Sequence, residues 1–221
     1  MKPAKTLPAI DPADRAAALA LTPVSRETAA RLDRFVELLL ARQAIMNLMA
    51  PSTIPTLWTR HIADSLQLLR LIRPDARIFV DLGSGGGFPG LVLACALADR
   101  AGAAFHLVEA TRKKAAFLRD VAADLELPVT VHAERIEDFD RKKPVVPDIT
   151  TARALAPLPV LLGYVYPLLT KTGCALLAKG QDVEAELTQA SKSWRITADL
   201  VPSVTSPEGR IVVVRGLERA R

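Results

Sequence analysis

A cluster of glycines constrains this chain more than any other feature. Five of its 11 glycines fall within the run GSGGGFPG at positions 83–90, between an apolar strand-like segment and an apolar helical segment. Glycine lets the backbone adopt positive φ and lets a ligand approach closely, and a helix start offers free N–H groups. In an open α/β sheet, ligands bind at such strand–loop–helix junctions. The run therefore predicts a ligand site on an α/β fold.

Strand-like and helical patterns alternate from residue 77 onward. Strands are predicted at residues 77–82, 104–109, 129–132, 149–152 and 175–178, and helices at 91–99, 112–125, 158–169 and 183–192. This alternation predicts a mostly parallel, Rossmann-like sheet with helices on both faces. Residues 196–201 and 210–214 flank the turn-like stretch TSPEG, which predicts an antiparallel hairpin at the C-terminal sheet edge.

The N-terminal third has a different pattern. Residues 1–24 are rich in Ala and Pro, which predicts a loose, flexible arm. Ser25 is a predicted N-cap for a helix that runs to about residue 46, and a second helix is predicted over residues 55–72. We therefore expect an N-terminal helical cap over residues 25–75, followed by the sheet domain over residues 76–221.

Composition narrows the function classes. A chain of 221 residues has room for one ordinary domain plus an appendage. The sequence has neither an apolar run of roughly 18 residues nor a secretory signal, and Cys95 and Cys174 form no disulfide framework or zinc motif. We expect a soluble cytoplasmic monomer without a metal. The net charge of +5 fits a polyanionic partner and an ordinary solvated surface equally well.

Two cofactor classes fit the glycine run. The pattern GxGxxG at positions 85–90, with Glu109 following 19 residues later, matches a nicotinamide dinucleotide fingerprint. The acid Asp81 two residues before Gly83 resembles motif I of S-adenosylmethionine-dependent methyltransferases instead. Asp81 favours a cationic ligand, and Pro89 removes one N–H from a phosphate cradle. The residues favour S-adenosylmethionine, and nicotinamide binding remains an alternative.

A wider set of motifs resembles the RsmG (GidB) family of ribosomal RNA small subunit methyltransferases. From residue 31 onward the matching pieces are NL (47–48), RHIxDSL (60–66), VDLGSGGGFPG (80–90), ExxRKKxxFL (109–118), RIEDF (135–139), TARA (151–154) and AKG (178–180). The chain departs from the family at residues 41–43, where Ala-Arg-Gln stands in place of an expected tryptophan.

The resemblance implies a class I methyltransferase fold and a specific reaction. A methyl group passes from S-adenosylmethionine to N7 of a guanine, position 527 in conventional rRNA numbering, in the 530 loop of 16S rRNA. The partner would be 16S rRNA or the small ribosomal subunit. The family's cofactor contacts carry over to Gly83, Phe88, Ile136, Glu137 and Arg153. A non-catalytic ribosome-binding module on the same fold is a further alternative.

Position in the predicted fold adds further candidates. Asp81 and Gly85 belong to the cofactor loop, and Glu109 ends the second strand, where it can accept hydrogen bonds from both ribose hydroxyls. Guanine N7 already has a free lone pair, so attack requires no general base. The pair His61 and Asp64 is therefore either catalytic or a local structural hydrogen bond.

Three basic residues begin the helix after the second strand. Cations at a helix N-terminus oppose the helix dipole, so another reason for their presence is expected. We predict that Arg112, Lys113 and Lys114 contact RNA phosphates, although a solvated helix turn explains them equally well.

Overall fold

A computed structural model describes residues 7–142 and 145–220 of the chain. Within these residues seven strands form one sheet, in the order β3-β2-β1-β4-β5-β7-β6. The strands are β1 (Ile78–Leu82), β2 (Ala104–Val108), β3 (Val129–His132), β4 (Ile149–Arg153), β5 (Cys174–Lys179), β6 (Trp194–Pro202) and β7 (Arg210–Arg219). Strands β1 to β5 pair in parallel, and β7 is antiparallel to both of its neighbours. The predicted parallel sheet with an antiparallel edge hairpin is confirmed.

Helices cover both faces of the sheet. They are α4 (Gly90–Leu97), α5 (Arg112–Asp124), α6 (Ile136–Lys142), α7 (Leu158–Val165) and α8 (Val183–Ala190). Four of them correspond to predicted helices. The sequence did not predict α6, because its seven residues are mostly charged and only Phe139 is buried, which leaves no apolar period to detect.

Alternate side chains of each strand enter two separate cores. Phe79 of β1 packs in the core that holds α4, α5 and the N-terminal helices. Its neighbours Val80 and Leu82 pack with α7 on the opposite face. Because successive strand residues point to opposite faces, one apolar strand supplies both cores. This explains why β1 carries apolar side chains on both of its faces.

The N-terminal segment contains a helix where a loose arm was expected. Helix α1 (Asp14–Leu21) is followed by α2 (Arg26–Gln43). The Asp14 carboxylate is buried and accepts hydrogen bonds from the backbone N–H groups of Trp58 (2.7 Å) and Thr59 (3.1 Å). The flexible-arm prediction is therefore wrong for residues 14–21, because a contact distant in sequence fixes them. Residues 1–6 of the predicted arm lie outside the described residues.

The second predicted cap helix is irregular. It consists of a 3-10 turn (Pro51–Thr53), a π-helical segment (Trp58–Ala63), the short α3 (Asp64–Leu66) and a 3-10 segment (Gln67–Leu71). The preceding helix matches its prediction more closely, since the Ser25 hydroxyl accepts a hydrogen bond from the Thr28 N–H as an N-cap. None of the helices described is long and apolar enough to cross a membrane.

Arginines of α2 join the cap to the sheet helices. Arg31 forms an ion pair with Asp99 at 2.8 Å, and Arg34 forms one with Asp124 at 2.9 Å. The apolar face of α2 also packs in the same core as Phe79. These contacts hold the cap against the helices on one face of the sheet. The division of the chain at residues 24 and 75 stays a prediction.

Candidate active site

The glycine loop lies where the strand order reverses, at the C-terminal ends of β1 and β4. Gly83 adopts φ of +70° and Gly85 adopts φ of +54°. A Cβ atom on Gly83 would also approach the Leu155 side chain to 2.6 Å. The local sequence is thus explained by backbone shape, because an L side chain at Gly83 would be strained and would displace the Leu155 side chain.

Asp81 organises this loop from beneath and does not line the cavity above it. Its carboxylate is 3% exposed, accepts hydrogen bonds from the Thr151 hydroxyl (2.7 Å) and the Gly90 N–H (3.2 Å), and is not among the residues that line the cavity above the loop. Burial raises the pKa of Asp81 to about 6. The expectation that Asp81 contacts the cofactor is corrected: it connects the end of β1 to the start of α4.

A cavity of about 530 Å³ opens above the loop, and we call it the loop cavity. It brings together many of the residues that the sequence singled out, namely His61, Gly83, Gly85, Phe88, Glu109, Lys114, Ile136, Glu137 and Arg153. Of the other candidates, Asp64 lies behind Arg153, and Arg112 and Lys113 are exposed outside the cavity. The cavity volume is typical of a small-molecule site.

Glu109 forms one end of the loop cavity. Its Oε2 atom accepts a hydrogen bond from the Gly85 N–H at 2.9 Å, and its Oε1 atom accepts one from the Thr111 N–H at 2.7 Å. A carboxylate has lone pairs for about four hydrogen bonds, so this one can still accept from ligand hydroxyls. The two backbone contacts fix its orientation toward the cavity.

Arg153 forms the opposite end, and the cap holds it in place. Its guanidinium is 15% exposed, pairs with Asp64 at 3.4 Å and lies 5.7 Å from the centre of the Phe88 ring. Its Nη2 atom donates a hydrogen bond to Nδ1 of His61 at 2.5 Å. Its Nη1 atom is buried and has no partner among the described residues. A buried unpaired donor is costly, so this atom is suited to an anionic ligand group.

His61 is locked as a neutral acceptor. Because Nδ1 accepts from Arg153, the ring proton lies on Nε2, which is 2.8 Å from the Thr53 hydroxyl oxygen, and that hydroxyl donates to the Ala50 carbonyl. Burial and the nearby Arg153 charge lower the pKa of His61 to about 3. The ring also stacks on Phe88, with centroids 4.8 Å apart.

The suggested acid–base pair is therefore corrected. His61 and Asp64 do not hydrogen-bond to each other in the described part of the chain, and each instead contacts Arg153. Asp64 also accepts a hydrogen bond from the Thr205 hydroxyl at 2.7 Å. Because its Nδ1 lone pair accepts from Arg153 and its Nε2 carries the ring proton, His61 has no free lone pair that could accept a proton from a substrate. Both residues position Arg153.

Gln43 supports one wall of the loop cavity, a role that its sequence position did not predict. Its Oε1 atom accepts from the N–H groups of Leu48 (2.7 Å) and Met49 (3.1 Å), and its Nε2 donates to the Met49 carbonyl. Leu48 and Met49 line the loop cavity. Gln43 lies at the position where the chain departs from the family pattern, which was the one sequence signal for it. Its amide holds this wall of the cavity by hydrogen bonds.

Another part of the loop-cavity wall comes from α6, the helix that the sequence did not predict. Ile136 and Glu137 line the loop cavity beside Tyr164. A hydrogen bond from its own backbone N–H, together with the ion pair to Arg135 at 3.2 Å, lowers the pKa of the Glu137 carboxyl group. The pair that the family resemblance singled out thus lies at the cavity, on a helix start.

The basic cluster lies at the beginning of α5. Arg112 and Lys113 are exposed, while Lys114 is half-buried and reaches the loop cavity. Across the described residues, none of the three forms an ion pair, so their charges are available to a polyanion. Phosphate contact by these residues stays a prediction.

The remaining titratable candidates pack inside the fold. Cys95 is fully buried, and burial raises the pKa of its thiol to about 12, which excludes a reactive thiolate at neutral pH. His106 and His132 hydrogen-bond to each other at 3.0 Å, and burial lowers the pKa of both. These side chains lie outside the residues that line the loop cavity.

Comparison with known sequences decides the family. A Bradyrhizobium sp. protein named ribosomal RNA small subunit methyltransferase G is 59% identical over 207 residues, covering 94% of this chain and 93% of the relative. A Rhodopseudomonas palustris protein of the same name is 54% identical over 209 residues, covering 95% and 89%. The sequence model of the GidB family, described as rRNA small subunit methyltransferase G, matches residues 28–212. The chain belongs to this family. The resemblance seen in the motifs is confirmed.

Solved structures support the fold class. An O-methyltransferase from Bacillus cereus in complex with SAH superposes with a TM-score of 0.61 at 15% identity, covering 92% of this chain and 97% of that one. The O-methyltransferase TomG from Streptomyces achromogenes in complex with SAM gives 0.59 at 14%, covering 92% and 96%. At such identities the likeness concerns the fold alone. It confirms a Rossmann-like methyltransferase sheet for this member of the GidB family.

Proposed function

We propose that this protein transfers a methyl group from S-adenosylmethionine to N7 of a guanine in 16S rRNA, at position 527 in the 530 loop. The proposal rests on one observation: in a GidB family member, the loop cavity has a carboxylate, Glu109, at one end and a buried unpaired donor, Arg153 Nη1, at the other. Its partner would be 16S rRNA or the small ribosomal subunit, which places the reaction in the cytoplasm.

The residues around the loop cavity fit this cofactor. The Glu109 carboxylate can accept hydrogen bonds from two ribose hydroxyls while it keeps its backbone contacts. The Arg153 guanidinium can pair with the carboxylate of the methionine part, which would satisfy its orphaned donor. Gly83 and Gly85 let the backbone lie against the ligand without a side chain between them.

The expected chemistry needs positioning and no proton transfer. Bound S-adenosylmethionine supplies an electrophilic methyl group on a positively charged sulfur. The lone pair of guanine N7 is free at neutral pH, so the chain need only hold N7, methyl and sulfur in line, and good alignment contributes on the order of 7–11 kcal/mol. Glu109 and Arg153 fix the cofactor's two ends, while His61 and Asp64 keep Arg153 in place.

Methyl transfer to defined RNA tests the proposal. Purified protein, tritiated S-adenosylmethionine and either 16S rRNA or small subunits from cells that lack the protein should give incorporation at one guanine, located by mass mapping. A semisynthetic 16S rRNA with 7-deazaguanosine at that position has no N7, so it should accept no methyl group. Transfer to the deaza RNA at the same position would show that N7 is not the acceptor.

The two alternatives give different results in the same experiment. A nicotinamide-dependent oxidoreductase would bind the dinucleotide in calorimetry and transfer no methyl group. A non-catalytic ribosome-binding module would bind small subunits and leave the tritium in the cofactor. The carboxylates of Glu109 and Glu137, which both line the loop cavity, favour a cationic ligand over a dinucleotide.

A further inference from the structure

A second cavity, which we call the hairpin cavity, lies beside the loop cavity. Its volume is about 440 Å³, and it opens between the cap, the C-terminal ends of β4 and β5, and the turn between β6 and β7. Arg153 and Ala154 line both cavities. A group bound in one cavity would therefore meet a group bound in the other at Arg153. The volume is within the range of small-molecule pockets.

Two of the carboxylates in the hairpin cavity are already engaged. Asp64 pairs with Arg153 and accepts a hydrogen bond from Thr205. Glu186 pairs with Lys179 at 2.7 Å. These contacts join the cap to the β6–β7 turn and β5 to α8. Their role is to shape the cavity walls.

The other two carboxylates are free. Asp182 and Glu208 both line the hairpin cavity and are exposed. In residues 7–142 and 145–220, neither side chain forms an ion pair or a hydrogen bond, and Asp182 does not cap the helix that follows it. Arg60, on the cap side of the same cavity, is likewise exposed and unpaired within those ranges. Two carboxylates and one guanidinium without partners in the described ranges therefore line the hairpin cavity.

Guanine has the complementary arrangement of groups. Its N7 and O6 atoms lie on one edge, and its N1–H and 2-amino donors lie on another. If N7 points toward a methyl donor in the loop cavity, the donor edge points away from that cavity, which adjoins the hairpin cavity at Arg153 and Ala154. Carboxylates accept hydrogen bonds and donate none, so they fit this edge. Adenine presents an unprotonated N1 there, which a carboxylate repels.

We propose that the hairpin cavity binds the acceptor guanosine, with Asp182 and Glu208 reading the N1–H and 2-amino edge and Arg60 contacting its phosphate. This inference rests on the proposed function and names the residues that select the base. RNA-binding proteins commonly recognise unpaired bases by hydrogen bonds to their Watson–Crick edges. Contacts of cationic side chains with the phosphate backbone add affinity without selecting a sequence.

An inosine substitution isolates the base contact. Inosine keeps N7, O6 and N1–H but lacks the 2-amino group. Single-turnover methyl transfer is measured on semisynthetic 16S rRNA with guanosine or inosine at the target, for the wild-type protein and the double variant Asp182→Asn/Glu208→Gln. The matched control is Glu184→Gln, an exposed carboxylate on α8 that does not line the cavity. Calorimetry with S-adenosylhomocysteine confirms that each variant keeps the loop cavity.

The loss of rate caused by inosine and the loss caused by the double variant should not add. The wild-type protein and Glu184→Gln should both be slower on inosine by at least tenfold, as expected for a hydrogen bond to a charged group. The double variant should be slower on guanosine by at least that factor, because it loses the N1–H contact as well, and inosine should cost it little more. The two single variants then assign the contact to Asp182 or to Glu208.

Two results would overturn the inference while the proposed function stands. One is wild-type transfer to guanosine with an unchanged rate in the double variant. The other is an inosine penalty of the same size in the wild-type and double-variant proteins. Absence of transfer by the wild-type protein itself would instead reject the proposed function.

Discussion

The two ends of the loop cavity are built in different ways. The end at β1 is shaped by backbone, because its glycines adopt positive φ and the N–H of Gly85 donates to the Glu109 carboxylate and orients it. The end at the cap is made of side chains, because His61 and Asp64 hold Arg153 in place. A backbone wall depends on a short local sequence. A side-chain wall depends on partners that lie far apart along the chain.

This difference predicts how the two ends respond to mutation. A single side chain in the backbone wall blocks the ligand or strains the loop, so the effect is all or none. A change in the side-chain wall removes one contact among several, so the effect is graded and a suitable replacement restores it. Three predictions below run from the largest to the smallest expected loss of cofactor affinity, and two more concern stability and RNA binding.

Gly83→Val should abolish binding of S-adenosylmethionine. Valine is strained at φ of +70°, and its Cβ would approach Leu155 to 2.6 Å. The matched control is Gly163→Ala in α7, where a Cβ would meet nothing within 4 Å, and this change should leave affinity intact. Calorimetry measures both, and circular dichroism checks the fold. Unchanged affinity in a folded Gly83→Val protein would contradict the role of the loop.

Glu109→Ala should weaken S-adenosylmethionine and S-adenosylhomocysteine equally, by about 1.5–3 kcal/mol. Both ligands share the ribose hydroxyls, and the loss of a charged acceptor also frees the N–H groups of Gly85 and Thr111. Titration calorimetry with each ligand gives the two values. A loss for only one ligand would mean that Glu109 does not contact the shared ribose.

The cap end should show rescue by a conservative variant. His61→Phe keeps the stack on Phe88 but removes the acceptor for Arg153, and we expect cofactor affinity to fall by about 1 kcal/mol. His61→Gln can accept from Arg153 and donate to Thr53, so affinity and methyl transfer should stay close to wild type. Loss of transfer in His61→Gln at normal affinity would restore a catalytic role for His61.

The same residue should leave a signature in the pH dependence of stability. The folded-state pKa of His61 is lowered to about 3 from about 6.5, so between these values the unfolded chain binds a proton that the folded chain does not. The free energy of unfolding therefore falls as the pH drops, by about 2 kcal/mol from pH 7 to pH 5. His61→Gln should remove this part of the fall in denaturant titrations. An identical fall in both proteins would contradict the neutral, buried His61.

The same contrast explains what the sequence could predict. The sheet, its edge hairpin and the glycine loop follow from local periods and from residues with special backbone freedom, such as Gly83. The helix at Asp14 and the roles of His61 and Asp64 do not, because Asp14 contacts a residue 44 positions away and His61 contacts one 92 positions away. No local pattern encodes such a contact.

Asp81 shows a second kind of limit. Its position before the glycines correctly indicated a role in the loop, but electrostatics alone suggested contact with the ligand. The carboxylate instead turns inward to Thr151 and Gly90. A sequence places a residue on an element, whereas the direction of its side chain depends on the neighbouring strand.

The last prediction concerns RNA affinity and tests whether RNA phosphates contact the start of α5 or only the cap around Arg60. Arg112, Lys113 and Lys114 begin α5, directly after the strand that ends at the loop cavity, and form no ion pair in the described residues. Replacing all three with Ala should weaken binding to every RNA sequence tested. It should also flatten the slope of log affinity against log salt by about two units, since each single-strand phosphate contact contributes roughly 0.7.

The control for this triple variant replaces three exposed cations outside both cavities, Arg26, Lys171 and Lys192, which keeps the change in net charge equal. If binding depended on net charge alone, both triple variants would lose the same affinity. If RNA contacts the start of α5, only the first should lose it. If the first keeps both its affinity and its salt slope, the phosphates must lie against the cap around Arg60, and α5 then begins with an ordinary solvated turn.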